Sequence, residues 1–246
     1  RGAPREAEGW GLILSDGVIA GLEADDPVSG RAIREKTIAW GDISVEVDGT
    51  ATTVRGHEFL ALARVDLIAI LRERAEALGV EIRYDTIVDP DDDSCERADL
   101  VVAADGSRSR IRDADRPGFG VEIREGANRY IWLGIPQKIA SSFRFIFETT
   151  AAGPIWAHSY PFADDFTTFV VECSGATHHA LGFNAMETDA ALAVLRRIFA
   201  SSLCGAPPPR RSSSCRGPRF AGSARPAPRN SWSRPSDCAS GPGPRM

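Results

Sequence analysis

Cysteine is sparse and scattered in this chain. The five cysteines among 246 residues (Cys95, Cys173, Cys204, Cys215, Cys238) form no CxxC or paired Cys/His spacing. Neither a disulfide framework nor a zinc site is therefore supported, and a reducing cytoplasm is the expected compartment. Long apolar runs are also missing. No stretch approaches the roughly 20 residues that a membrane-spanning helix needs, and the opening RGAPREAEGW lacks the apolar centre of a secretory leader. No membrane partner is expected. No GxGxxG follows a first strand, because Gly9 and Gly11 are too few and wrongly placed. The glycine turn that cradles a pyrophosphate is thus not legible. The sequence starts at Arg1 rather than Met, as expected of a record that begins inside a longer reading frame.

What is present divides in two. With 43% hydrophobic residues the chain can bury a core of ordinary size. Its net charge of −5 combines −12 over residues 1–204 with +7 over 205–246. Residues 205–246 hold nine of the sixteen prolines, eight serines and eight arginines with almost no apolar period. Such a segment cannot bury enough surface to offset its ordering entropy, and disorder is predicted. No aromatic interleaving accompanies its charge, so no nucleic-acid partner is expected. Its abrupt onset after an intact helical pattern is that of a frameshifted GC-rich coding region.

Residues 10–50 alternate short apolar runs with Ser-Asp-Gly, Asp-Pro and Asp-Gly signals, predicting a strand, a short helix and a hairpin around Asp48-Gly49. Leu67, Ile68, Leu71, Ala75 and Leu78 form one stripe of a helix over 64–78 that Gly79 ends. Val80–Tyr84 and Leu100–Ala104 read as strands, the latter covered on both faces as in a parallel sheet. From residue 128 the period becomes two, in runs 129–136, 143–148, 155–162 and 167–173, an antiparallel meander. A helical stripe over 190–199 follows. The fold class is mixed α/β: a βαβ-like segment over 1–126, and an antiparallel meander domain with its closing helix over 127–204.

The stretch Ala98-Asp-Leu-Val-Val-Ala-Ala-Asp-Gly-Ser-Arg-Ser-Arg-Ile-Arg-Asp113 places Asp105-Gly106 at the end of the predicted strand, ahead of a helix start. An Asp there reaches past the sheet edge, Gly106 admits close backbone approach, and free N–H groups suit an anion. A phosphate, ribose or pyrophosphate fits that chemistry; an ordinary solvated turn is the alternative.

This pattern resembles the second fingerprint of the p-hydroxybenzoate hydroxylase-like FAD-dependent aromatic monooxygenases. Arg64-x-x-Leu67-x-x-x-Leu71 resembles the helix whose leading arginine approaches the cofactor in that family. Gly9-Trp10-Gly11, Gly56-His57-x-Phe59, Trp132-Leu133-Gly134 and Trp156-Ala-His158-Ser-Tyr160 resemble the branch acting on salicylyl-CoA and anthraniloyl-CoA. The resemblance covers roughly residues 8–203 and implies that 1–126 is a partial FAD-binding Rossmann-like domain without its first βαβ unit, with 127–204 as the substrate domain. It implies FAD and NAD(P)H as cofactors, a small aromatic or aryl-CoA substrate, and hydroxylation with O₂. It places Arg64, Asp105, Gly106 and Arg112 beside the cofactor. The later Gly-Asp motif of the family is absent, so the chain reads as a fragment.

His57, His158 and Tyr160 are candidates for the substrate side, or else satisfied sheet residues. Trp132 and Trp156 are positioned to stack on an aromatic ring or to fill core. His178-His179 with Cys173 do not have metal-ligand geometry, and no catalytic residue is assigned. Two other readings stay open: a flavin reductase or dehydrogenase sharing the Asp-Gly element, and a non-catalytic binding module without functional FAD. The sequence assigns no oligomeric state.

Overall fold

The computed structural model describes residues 10–56, 58–139, 141–203 and the short strand 210–211. The Pro/Arg/Ser-rich tail beyond 211 and His57 lie outside the described residues. The first strand, β1 (Gly11–Ser15), runs directly into helix α1 (Asp16–Asp25) because the extended Ser15 accepts from Val18 N and caps it. The Asp26-Pro27 pair, read above only as a turn signal, instead starts a second helix, α2 (Pro27–Lys36). Asp26 accepts from Ser29 N, and Pro27 costs nothing in a first turn whose N–H groups have no helical partner. The two helices cross closely at Gly30, where a Cβ would lie 2.5 Å from Glu23 Cα.

Strands β2 (Ile38–Trp40), β3 (Ile43–Val47), β4 (Thr50–Val54) and β5 (Phe59–Ala63) follow. The expected hairpin at Asp48-Gly49 joins β3 to β4, with φ of 45° and 83° at the two turn residues. Helix α3 (Arg64–Ala77) ends as its sequence predicts. Gly79 has φ +78°, and the Gly79 and Val80 N–H groups return to the carbonyls of Glu76 and Ala75. Only part of the stripe read from the sequence faces the core. Leu67 and Ile70 pack on Ile19, Ile33, Leu60 and Leu62, whereas Ile68 and Leu71 are exposed. Arg74 is drawn to the helix pair below, its Nη2 lying 2.8 Å from Asp26 Oδ1.

Two predicted strands do not form. Residues 80–84 and 100–104 have no regular secondary structure, and Leu100 and Val102 are 80% and 77% exposed. A β-strand needs a neighbour to take its N–H and C=O groups. None of the described strands lies beside either segment. Short helices α4 (Asp93–Glu96) and α5 (Arg110–Ala114) punctuate this region.

The second half holds strands β6 (Arg129–Ile135), β7 (Phe143–Thr150), β8 (Gly153–Ala163) and β9 (Phe166–Cys173), helices α6 (Gly175–Ala180) and α7 (Thr188–Ile198), and the two-residue β10 (Arg210–Arg211). The four alternating runs are strands, but not a simple meander. The sheet order is β10-β6-β9-β8-β7-β3-β4, so β6 pairs with β9, and β7 runs parallel to β3 from the first half of the chain. Tight turns make β7, β8 and β9 antiparallel. The longer 136–142 connection carries β6 to the far side of β9. It is held there by Thr167, whose hydroxyl donates to Gln137 O (2.8 Å) and accepts from Ile139 N (3.2 Å). A separate three-stranded antiparallel sheet has the order β1-β5-β2.

Alternation along β6–β9 gives the large sheet two unlike faces. One carries Ile131, Leu133, Ile146, Ile155, Phe169 and Val171 against Phe183, Leu195 and Phe199 of the C-terminal helical region. At its edge Arg144 donates to Glu46 Oε1 and Oε2 at 2.6 and 2.7 Å, and to Ser202 O at 3.1 Å, tying β3, β7 and the end of the helical layer together. Cys173 lies in this core, and burial pushes its thiol up to about 11, which leaves it inert. No helix among the described residues is long and apolar enough to cross a membrane.

Candidate functional site

The other face of the large sheet meets the small sheet at one end and is left open beyond it. The joint is built on Gly11. Its N–H donates to Thr168 Oγ1 (3.0 Å), and its carbonyl accepts from the Tyr160 hydroxyl (2.8 Å). A Cβ on Gly11 would fall 2.2 Å from the Cβ of Phe162. On β6, a Cβ on Gly134 would fall 2.5 Å from the Trp10 ring, so that indole lies directly against a bare strand. Trp40 stacks on Tyr160 with centroids 6.2 Å apart, and Phe59 meets Phe143 edge-on at 5.8 Å. Both halves of the chain therefore hold this seam together.

Register defines what is exposed next to it. The covered row across the sheet is Gly134, Thr168, Tyr160 and Phe143; the next, moving away from the seam, is Trp132, Val170, His158, Phe145 and Val45. Directly opposed residues share a face, so these side chains form a continuous strip. All five are half-buried. A third row follows with Tyr130, Glu172, Trp156, Phe147 and Val47. The result is an aromatic platform with few polar atoms, bordered by the seam.

Those polar atoms are mostly engaged. Glu172 Oε1 accepts from Asn128 Nδ2 at 2.8 Å. Tyr160, a candidate for the substrate side, directs its hydroxyl to the Gly11 carbonyl, and burial pushes its pKa up to about 12. Tyr160→Phe is expected to cost about 1 kcal/mol, the net worth of one buried hydrogen bond. Urea unfolding measures that cost, and an unchanged midpoint would disprove the clasp. His158 is different. Its ring meets Phe145 edge-on at 5.0 Å and Phe143 at 6.3 Å, and its nitrogens have no hydrogen-bond partner among the described residues. Burial lowers its pKa, opposed by the Glu172 charge, so the ring is neutral at pH 7. With the folded value depressed, the unfolded chain binds the proton more readily. The contribution of His158 to stability is thus complete above the ordinary histidine range and fades as pH falls through it.

The residues expected beside a cofactor divide into two places. Asp105, Gly106 and Arg112 come together at the start of α5. There Asp105 Oδ2 accepts from Arg110 N (2.9 Å), Gly106 has φ +95°, and Arg112 Nη2 pairs with Asp113 at 3.0 Å. The Ser109 hydroxyl chiefly, with the Arg110 N–H, holds the Asp105 carboxyl below the usual range. Arg64 stands on another element, at the β5–α3 junction, where its N–H donates to Trp10 O at 3.1 Å on the seam. His57 lies outside the described residues. His178 and His179 sit on α6, the first buried and the second exposed. Sequence reading gave no site role to Gly134, Thr168 or Phe145. Strict alternation from Trp132 puts Gly134 on its face, whereas Thr168 and Phe145 lie on other strands and join that face only through register.

These residues do not by themselves fit FAD. The Asp105-Gly106 turn sits at the end of the exposed 100–104 segment, its carboxylate caps α5, and no glycine-rich strand-turn-helix cradle for a pyrophosphate occurs among the described residues.

Comparison with known proteins gives partial matches. No protein-family model matches the chain. It is 32% identical over 188 residues to a salicyloyl-CoA 5-hydroxylase of a Streptomyces species, covering 76% of this chain and 36% of that protein. It is also 32% identical over 173 residues to a 3-hydroxy-4-methyl-anthranilyl-[aryl-carrier protein] 5-monooxygenase of Streptosporangium sibiricum, covering 70% of this chain and 48% of that one. The chain thus spans less than half the length of either. Among solved structures, 2-methyl-3-hydroxypyridine-5-carboxylic acid oxygenase superposes with a TM-score of 0.63 at 18% identity over 89% of this chain and 65% of its own. PqsL of Pseudomonas aeruginosa, a probable FAD-dependent monooxygenase, gives 0.55 at 16% identity over 81% and 58%. Over part of their length, then, this chain is similar in sequence to an aryl-CoA hydroxylase and an aryl-carrier-protein monooxygenase, and in fold to an oxygenase and a probable FAD-dependent monooxygenase.

Proposed function

We propose that this chain is the substrate-bearing part of a flavin monooxygenase that hydroxylates an aromatic ring carried as a CoA or related thioester. The overall reaction inserts one oxygen atom of O₂ into the ring and releases the other as water at the expense of NAD(P)H, with FAD as the redox group. The observation that carries this reading is the half-open row Trp132–Val170–His158–Phe145 beside the seam. A flat apolar strip edged by aromatic rings suits a benzenoid ring far better than a sugar or an aliphatic acyl chain. Two of the relatives are named for a salicyloyl-CoA and for a 3-hydroxy-4-methyl-anthranilyl group on an aryl-carrier protein. Arg64 at the seam, with Asp105 and Arg112 at α5, supplies groups for phosphate or ribose oxygens once a complete flavin cradle is present.

The test uses the chain as it stands. Titration with 2-hydroxybenzoyl-CoA is expected to quench tryptophan fluorescence saturably through Trp132 and Trp156. Acetyl-CoA should quench much less, and Trp132→Phe should remove part of the signal. Equal responses to the two thioesters would overturn the aryl platform. A second reading, a flavin-free aryl-binding module, is favoured by the exposed turn at Asp105. It predicts that the same quenching persists while added FAD is not retained on gel filtration, and a yellow protein would exclude it.

A further inference from the structure

Among the described residues the open strip carries two polar side chains that the fold leaves without a hydrogen bond, His158 and the Trp132 indole. Thr168 and Tyr160 are bound into the seam through Gly11, and Glu172 is held by Asn128. His158 stands in the middle of the strip, one strand from Val170 and one from Phe145. Its ring is fixed by edge contacts with Phe143 and Phe145, and no described donor or acceptor reaches its nitrogens. The imidazole is half-buried with its nitrogens still open to solvent, so a ring laid over the strip displaces that water and must take its place as the hydrogen-bond partner. Trp132 lies two strand spacings away on the same row, about 10 Å by sheet geometry, with its indole Nε1 buried and equally without a hydrogen bond. A benzenoid ring laid over Val170 spans the space between them.

We infer that His158 is a specificity-determining residue, hydrogen-bonding a hydroxyl or amino substituent on the ring of the bound aryl group. A neutral imidazole offers one donor and one acceptor, and a phenol or an aniline can satisfy either. The unsubstituted ring cannot. This rests on the aryl-platform reading and adds to it the class of ring that the strip selects. A site with a polar group waiting for a partner discriminates against the analogue that lacks it, because binding that analogue leaves the group desolvated and unpaired.

Two probes and two variants test the assignment. The wild-type chain is expected to bind 2-hydroxybenzoyl-CoA about tenfold more tightly than benzoyl-CoA, read by tryptophan quenching. His158→Phe preserves the ring stack on Phe143 and Phe145 and should abolish that preference, in part by tightening benzoyl-CoA, whose binding no longer leaves an imidazole desolvated and unpaired. His158→Gln, which restores a donor and an acceptor, should recover part of it. Urea midpoints close to wild type show that both variants are folded. A preference that survives in His158→Phe, or an equal loss for both probes, would overturn the assignment and leave the aryl platform standing. Failure of the wild-type chain to bind either probe would overturn both.

Discussion

Gly134→Val is expected to lower stability by about 3 kcal/mol, the upper range for overpacking a filled site, and to separate the small sheet from the large one. The reason is local. A Cβ at this position already lies 2.5 Å from two atoms of the Trp10 ring, and the isopropyl group of valine needs more room. Trp10 cannot move away without cost, because its carbonyl accepts from Arg64 N and its neighbour Gly11 is bonded on both sides to the large sheet. Gly134→Ala should show the same effect at smaller size, about 2 kcal/mol. Urea unfolding followed by tryptophan fluorescence and by circular dichroism is the measurement. A loss of Trp10 fluorescence change ahead of the main transition is expected, because the seam opens first. A wild-type midpoint for Gly134→Ala would mean that the indole does not lie against the strand, and the seam as described would be wrong.

Arg144→Met is expected to be similarly damaging, about 3 kcal/mol, at the lower end for stranding one partner of a buried ion pair. The side chains of Arg144 and Glu46 are only 12% and 14% exposed, and Arg144 also donates to Ser202 O. Removing the guanidinium leaves Glu46 with the Ser44 and Ser202 hydroxyls. Arg144, as the largest cause, holds the Glu46 carboxyl below its ordinary value. The folded state therefore binds this proton less readily than the unfolded chain. The stability it contributes is complete above the ordinary glutamate range and is lost as pH falls through that range toward the depressed value. In Arg144→Met the acid-side loss should shrink. The double variant Arg144→Met/Glu46→Leu should recover most of the stability, since no uncompensated charge stays buried. If the single variant unfolds at the wild-type midpoint, the pair does not join β3, β7 and the helical layer energetically.

Local patterns were legible where one residue type answers a backbone requirement. Asp48-Gly49 takes two positive φ angles in a hairpin, and Gly79 closes α3. The period-two runs became β6–β9. The reading failed where the deciding group lies far away in the chain. Leu100–Ala104 has the composition of a covered strand, but a strand exists only with a neighbour to receive its ladder, and the described residues provide none there. The stripe of α3 was read correctly at Leu67 but not beyond it, because the α1–α2 pair and β5 beneath take Ile70 and leave Ile68, Leu71 and Leu78 exposed. For the site, the motifs named the right strands without saying which neighbours flank them. Phe145 reaches His158, and Thr168 reaches Gly11, only through strand register.

The amino-acid sequence by itself determined the end of α3 at Gly79, the hairpin and the two-faced alternation of the large sheet, because these depend on contacts within a few residues. The tertiary structure decided that β3 enters the large sheet beside β7, that Tyr160 closes a seam while His158 keeps its nitrogens open, and that Asp105 sits on an exposed turn capping α5. Each of those outcomes depends on which distant backbone or ring occupies the adjoining space, and that is a property of packing.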